Sequence, residues 1–317
     1  MLHSKTESPS WQVVTNCSSI KRRVGQPIEP SLGYRSIDEL CAAWVSKVIR
    51  SKDLKTVDET YGGRTFTEAL SACETVSAEL HVISAGLGLV HAKDMIPHYN
   101  LTVSSGAGSI STWLEERGKT TADWWQCLNS KLGKPYPIFQ LSKKSKGVIL
   151  VLPATYLEMI SAELVMLPVH MREKLIIITS HAGQKNIHPD LLSRCLPYDE
   201  RLDGTEKYKG TRNDFPQRAL KHLVNEIDFQ TMPMKSVQKR VEDFMGKHSK
   251  PILPTRSKLS DPQIKELIQK NWNKYLGRRN SLHRFLRDIE LVACEQKRFG
   301  TLWNEVKQDI SLKEKCS

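Results

Sequence analysis

The chain has no C-x-x-C pair: its seven cysteines stand singly, and their number is odd. That pattern argues against a zinc site and for reduced thiols in a cytoplasmic protein. No run of about 18 apolar residues occurs, and residues 1–10 lack an apolar leader core, so neither a membrane span nor a secretory leader is expected. The G-x-x-x-x-G-K-[ST] loop of nucleotide hydrolases is missing. No G-x-G-x-x-G follows the first strand signal, and Gly86-Leu87-Gly88 lacks the third glycine of a dinucleotide fingerprint. His91, His98, His181 and His188 have no helical metal-ligand spacing such as H-E-x-x-H. No cofactor and no metal are expected.

What is present is charge, unevenly spread. The formal net charge is +12, and residues 233–317 hold 19 Lys+Arg against 10 Asp+Glu, or +9. A basic C-terminal third points to a polyanion, most simply nucleic acid. Hydrophobic residues make up 39% of 317 positions, enough for one large α/β domain and a smaller one.

The chain centres on residues 80–100, LHVISAGLGLVHAKDMIPHYN. Its start is short, apolar and β-branched, which predicts a strand buried in a parallel sheet. Ser84, Ala85, Gly86 and Gly88 then predict a turn that lets the backbone approach a ligand. His91, Asp94, His98, Tyr99 and Asn100 follow within ten residues. An ordinary polar loop has the same composition. Three more strands have this construction: residues 11–15 run into Asn-Cys-Ser-Ser, 147–152 into Pro-Ala-Thr-Tyr, and 174–179 into Ser-His-Ala-Gly. In a parallel sheet those four ends lie along one edge, where α/β proteins place their sites.

Ser36 and Glu39 form a capping box for a helix reaching Arg50, with Ile37, Leu40, Cys41, Trp44, Val45, Val48 and Ile49 on one face. A second helix is expected over residues 67–79. Trp113, Trp124 and Trp125 fit a core better than a ligand. Residues 186–228, with Asp199, Arg201, Asp203, Lys207, Lys209, Arg212 and Asn213, read as a long polar segment, solvated or in contact with a ligand or DNA backbone, and helix signals return over residues 217–226. Past residue 232 the composition turns to charged helices. One opens at Pro262 and carries Ile264, Leu267, Ile268, Trp272, Tyr275 and Leu276; Gly277 ends it. The next carries Leu282, Phe285, Leu286, Ile289 and Ala293. The basic turn between them has the spacing of a helix-turn-helix, as does any helical hairpin.

Two segments carry a family resemblance. In VVTNCSSIKRR, Cys17, Ser18 and Lys21 match a strand followed by C-S-x-x-K; in the central stretch, Ser84, Ala85, Gly88, Leu89, Asp94, Ile96 and Tyr99 match S-A-x-x-G-L-h-x-x-x-D-x-I-x-x-Y. This resembles a group of prokaryotic and phage domains related to the peroxide-stress DNA-binding protein, over about the first 180 residues. The wider group is similar to uracil-DNA-glycosylase-like domains and to anti-phage DNA glycosylases that excise glucosylated hydroxymethylcytosine.

The resemblance implies an α/β fold with a Rossmann-like, mostly parallel sheet, metal-independent base excision from double-stranded phage DNA, and a role in antiviral defence. Cleaving an N-glycosidic bond needs a pocket for an extruded base and stabilisation of a cationic sugar. On that reading Asp94 orients water or stabilises the cation, although it equally suits a helix or turn cap. Asn100 reads a base or sugar edge, and His91 or His181 donates to the departing base. Ser84, Gly86, Gly88, Tyr99, Tyr156, Ser180 and His181 line the base pocket, the tyrosines by stacking. Asn16, Ser18, Ser19, Lys21, Arg22, Arg212, Arg278, Arg279 and Arg284 hold phosphates. The expected domains are a glycosylase-like 1–232 and a helical, basic, nucleic-acid-binding 233–317. The alternatives are a non-catalytic DNA-binding stress protein and a deazaguanine-type transglycosylase.

Overall fold

The computed structural model describes residues 9–23, 25–252 and 254–315. The chain divides into two units, Met1–Pro251 and Ile252–Ser317. The boundary falls later than the composition change at residue 232. The helix Met234–Met245 buries Val237, Val241 and Met245 in the core of the first unit, and its charge sits on the outer face.

The first unit is α/β. Its strands are β1 (Trp11–Asn16), β2 (Leu54–Thr56), β3 (Glu79–Ser84), β4 (Gly88–His91), β5 (Met95–Pro97), β6 (Gly147–Val151) and β7 (Leu175–Ile178). The main sheet has the order β4-β3-β1-β6-β7, with β2 and β5 pairing separately. Strands β3, β1, β6 and β7 are parallel, and β4 runs antiparallel to β3. All of GVILV and LIII is buried, as expected of parallel strands covered on both faces.

The helices that cover the sheet follow the sequence closely. The Ser36–Glu39 box forms, with Glu39 N–H donating to Ser36 Oγ at 3.2 Å and Ser36 N–H to Glu39 Oε2 at 3.3 Å. The helix Ile37–Arg50 buries Leu40, Cys41, Trp44, Val45 and Val48, whereas Ile49 is exposed, one step off the stripe. It packs with Thr121–Lys131, which packs with Ala154–Met166. Arg64–Val76 and Phe215–Glu226 pack together as a second group. The helix expected over 67–79 stops at Val76, because Ser77 turns left-handed at φ 51° and Glu79 already belongs to β3. Trp113, Trp124 and Trp125 are all core residues.

Residues 186–228 are not an unstructured loop, although several of their polar side chains are solvated as expected. Short helical turns bury Leu191, Leu196, Tyr198, Leu202 and Tyr208, and Arg218 is buried between Asp203 and Asp214 at 2.7 Å from each. The buried charges are the paired ones, Arg218 with Asp214, whereas Lys207, Lys209, Arg212 and Asn213 stay exposed.

The second unit is helical, as its composition suggests. Helices Asp261–Lys270, Arg279–Asp288 and Gln296–Lys315 close over Ile264, Ile268, Leu282, Leu286, Val292, Phe299, Leu302 and Val306. The first of these ends at Lys270, not at Leu276. Leu276 is exposed at φ 52° and Ile289 is exposed, while Gly277 takes the expected positive φ of 62° under the Trp272 ring. Among the described residues no helix is long and apolar enough to cross a membrane.

Candidate functional site

The carboxyl ends of β1, β3 and β6 bring together Cys17, Ser84 and Tyr156. Tyr156 stands in the first turn of the helix that follows β6, its hydroxyl 3.1 Å from Cys17 Sγ. Tyr99 reaches the same edge from the segment after β5: its hydroxyl is 2.6 Å from Ser84 Oγ and hydrogen-bonds the Tyr61 hydroxyl. Ser84 Oγ also accepts the Gly86 and Leu87 N–H groups at 3.2 and 3.0 Å. Burial raises the pKa of Tyr61, Tyr99 and Tyr156, so all three are neutral donors over the working range.

Lys21 completes the group. Its Nζ lies 4.5 Å from the centroid of the Tyr99 ring and 5.8 Å from that of Tyr61. No carboxylate among the described residues pairs with it. Burial lowers its pKa, opposed by the nearby Cys17 thiol. Next along the chain, Arg23 has a side chain 2% exposed and donates to Asp53 Oδ2 at 2.6 Å. His98, whose Nδ1 is buried without a partner, is held below the usual imidazole range by burial and by the Arg23 and Lys21 charges.

Gln217 was invisible in the sequence. It is fully buried, and its Nε2 donates to Thr15 Oγ1 at 2.9 Å, with Asn16 Oδ1 at 3.2 Å and the Val151 carbonyl at 3.4 Å. A glutamine on a helix reads as surface, and only its tertiary position between the ends of β1 and β6 marks it. Its Oε1 is left without a partner.

Several expected site residues fall elsewhere. Because β4 turns back antiparallel, His91 pairs across from His81 and Ala92 N–H bonds the Leu80 carbonyl, near the opposite end of β3. At about 3.3 Å per residue, that is roughly 13 Å of strand from Ser84. Asp94 lies beyond it and closes the next turn, its Oδ2 accepting the His91 N–H at 2.9 Å. Asp94 and His91 therefore do not join the carboxyl edge. Asn100 spends its amide on Glu29 Oε1 at 2.9 Å.

The glycines approach protein, not a ligand. A Cβ on Gly86 would sit 2.8 Å from the Tyr99 ring and 3.0 Å from Trp44; one on Gly88, at φ 70°, would collide with Asn129 Oδ1. Indoles lock this turn, Trp44 Nε1 donating to the Gly86 carbonyl at 2.6 Å and Trp124 Nε1 to that of Ala85 at 2.7 Å. Tyr99 is 0% exposed, so its ring is part of the core and cannot stack on an extruded base.

Ser180 caps the short helix His181–Gln184 through the Gly183 N–H at 3.3 Å, and His181 is exposed beside it. Ser18 Oγ accepts the Ile20 N–H at 3.0 Å; Asn16 is half-buried, and Ser19, Arg22 and Arg212 are exposed. In the second unit Arg278, Arg279 and Arg284 are exposed and form no ion pair with a described residue. Arg287 and Arg298 are taken by Asp288 at 2.7 Å and Asp261 at 2.6 Å.

A separate group lies at the amino end of β3. Glu79, His81 and His91 bring one ligand atom each within 4.8 Å of one another. Burial, then the neighbouring His91, pushes the His81 pKa down to about 4. Surface depressions of about 380 and 260 Å³ also occur, one lined by Val76 and residues 224–230, the other by Trp11, Lys146 and Lys174 near the starts of β1, β6 and β7. Neither includes the Cys17–Lys21–Tyr156 cluster. No family model, no curated protein and no solved structure matches the chain.

Proposed function

We propose that the chain is a DNA glycosylase that hydrolyses the N-glycosidic bond of a modified base, with glucosylated hydroxymethylcytosine of phage DNA as the substrate suggested by its motifs, on a Rossmann-like sheet of the uracil-DNA-glycosylase kind. One observation carries the reading: Lys21 is held at the carboxyl edge, over a tyrosine ring and beside the Cys17–Tyr156 pair, with no carboxylate partner among the described residues. When the C1′–N bond breaks, the electron pair leaves with the base and the sugar becomes cationic. A partly desolvated ammonium supplies what the departing base needs, a positive charge and a proton, and burial makes that proton easier to give than a surface lysine's. Water then adds to C1′, its released proton returns to the Lys21 amine, and an abasic site is left. The sugar cation is stabilised by the DNA phosphates, since no carboxylate stands among the residues of this cluster. The unpaired Arg278, Arg279 and Arg284 of the second unit hold the duplex backbone.

Abasic-site formation on a panel of natural and hypermodified phage DNAs tests this. Release of a free base by the wild type, reduced about 10²-fold or more in Lys21→Gln and partly kept in Lys21→Arg, is the expected result. Wild-type release from Lys21→Gln removes Lys21 from the chemistry. A second reading, a DNA-binding stress protein without catalysis, is favoured by the depth of Tyr61, Tyr99 and Tyr156, all nearly closed to solvent. Binding across the whole panel with no base released selects it.

A further inference from the structure

The structure assigns a divalent transition-metal site to Glu79, His81 and His91, at the amino end of β3 and away from the glycosylase edge. His81 and His91 are directly opposed residues of the antiparallel pair β3–β4, and Glu79 lies two positions before His81, so strand alternation puts all three on one face. Their ligand atoms are within 4.8 Å of one another, and the imidazole centroids are 5.1 Å apart. His81 Nε2 is 3.9 Å from Glu79 Oε2. Tetrahedral zinc with bonds of about 2.0–2.1 Å keeps neighbouring ligand atoms roughly 3.4 Å apart, so side-chain rotation alone closes the gap. The Glu79 side chain is half-exposed and free to make that rotation.

Two imidazoles and a carboxylate are a donor set that zinc, cobalt(II) and nickel(II) take in preference to magnesium or calcium. The surroundings already orient the rings. Gln12 Oε1 lies 2.7 Å from His81 Nε2, and the amide is fixed the right way round because Gln12 Nε2 donates to Ser10 Oγ at 2.7 Å. A metal on Nε2 takes the direction the Gln12 oxygen now holds, so loading requires that amide to draw back by roughly 1.4 Å, after which it can serve as a further oxygen donor. The Lys93 N–H donates to His91 Nδ1 at 3.2 Å, which puts the ring's own proton on Nε2 in the metal-free protein. Loading moves the remaining ring proton to Nδ1 and breaks the Lys93 hydrogen bond, the longest of the group. The bound ion clamps β4 to β3 at the mouth of the hairpin and keeps a coordination position open to solvent.

The probes are zinc(II) and cobalt(II) added to the metal-stripped full chain. The expected results are one equivalent bound, visible d–d absorption from the cobalt form that zinc bleaches, and a melting temperature raised by either ion. His81→Gln and His91→Gln should each abolish the cobalt spectrum. Glu79→Gln, on a half-exposed side chain that the fold does not need, should weaken binding by at least the 10–100-fold typical of losing even an outer-shell partner. Absence of any cobalt spectrum overturns the assignment, as does a spectrum that survives all three substitutions. Should either histidine variant misfold by circular dichroism, Glu79→Gln alone decides: undiminished zinc affinity refutes the site.

Discussion

The Tyr99 hydroxyl sits 2.6 Å from Ser84 Oγ, joining the segment after β5 to the end of β3. The same hydroxyl bonds Tyr61, and Ser84 Oγ takes the Gly86 and Leu87 amides, so the phenol holds the serine that caps the turn. Tyr99→Phe leaves two buried hydroxyls short of a partner and should cost about 1–3 kcal/mol of stability. Tyr99→Ala adds a cavity and should cost about 3–5 kcal/mol. Urea denaturation reads both. A Phe variant as stable as wild type would show that the hydroxyl network contributes nothing, and would restore the ring as the residue's only asset.

Gly88 sits at φ 70°, and its missing Cβ makes room for Asn129. Gly88→Val should therefore lower the melting temperature sharply, since strain and collision act together. Gly86→Ala should do so more mildly, its Cβ pressing on the Tyr99 ring at 2.8 Å. A stable, fully folded Gly88→Val that merely lost activity would return this glycine to a ligand pocket.

The apolar runs, the capping box and the small residues at strand ends are enough to specify the parallel strands and the edge where Cys17, Ser84 and Tyr156 meet. What they do not specify is the direction of the chain after Gly88. Leu89, Val90 and His91 are too few to announce a strand, and only pairing with β3 makes them one. That reversal carries Asp94 away from Tyr99, five positions later in the chain. Likewise Arg218 and Gln217 look solvated on a helix of modest apolar content, because their partners come from residues 203–214 and from β1. Local pattern holds local information, and both the metal-ligand trio and Gln217 are made by long-range pairing.

Asp94→Asn should release base at the wild-type rate, because Asp94 closes a turn at the far end of β3 and the Asn carbonyl can still accept the His91 N–H. Asp94→Ala should cost on the order of 1 kcal/mol in stability. Single-turnover kinetics on the substrate found by the DNA panel decide the first point. A collapse of the rate in Asp94→Asn, with folding intact, would move the chemistry off the carboxyl edge.

In the second unit, geometry separates free arginines from occupied ones. Arg278, Arg279 and Arg284 have no ion-pair partner among the described residues, whereas Arg287 and Arg298 do. Replacing the first three by Ala should lower the slope of log K against log salt by up to about 0.9 for each phosphate no longer neutralised. Arg298→Ala should leave the slope nearly unchanged and instead loosen the Asp261 end of its helix. Filter binding or fluorescence anisotropy across a salt series measures both, and an unaltered slope in the triple variant would make the basic face a solvated surface.

Acid sensitivity should centre on His222. The ring is buried, its Nδ1 2.7 Å from the Tyr198 hydroxyl and its face 3.8 Å from the Phe244 centroid, and burial pushes its pKa down to about 4. Unfolded, a histidine titrates near 6.5. The depressed value means that the folded state prefers the neutral ring, so its contribution is fully present above about pH 6.5. As pH falls from there towards 4, the unfolded chain takes up a proton that the folded chain refuses, and stability declines with it. The full loss at this one residue is on the order of 3 kcal/mol. His81, also held near 4, adds to the decline over the same window. His222→Gln should therefore be less stable at pH 7 but lose less between pH 6.5 and 4 than the wild type does, in chemical denaturation at each pH. Parallel curves for the two proteins would place the acid sensitivity on other groups.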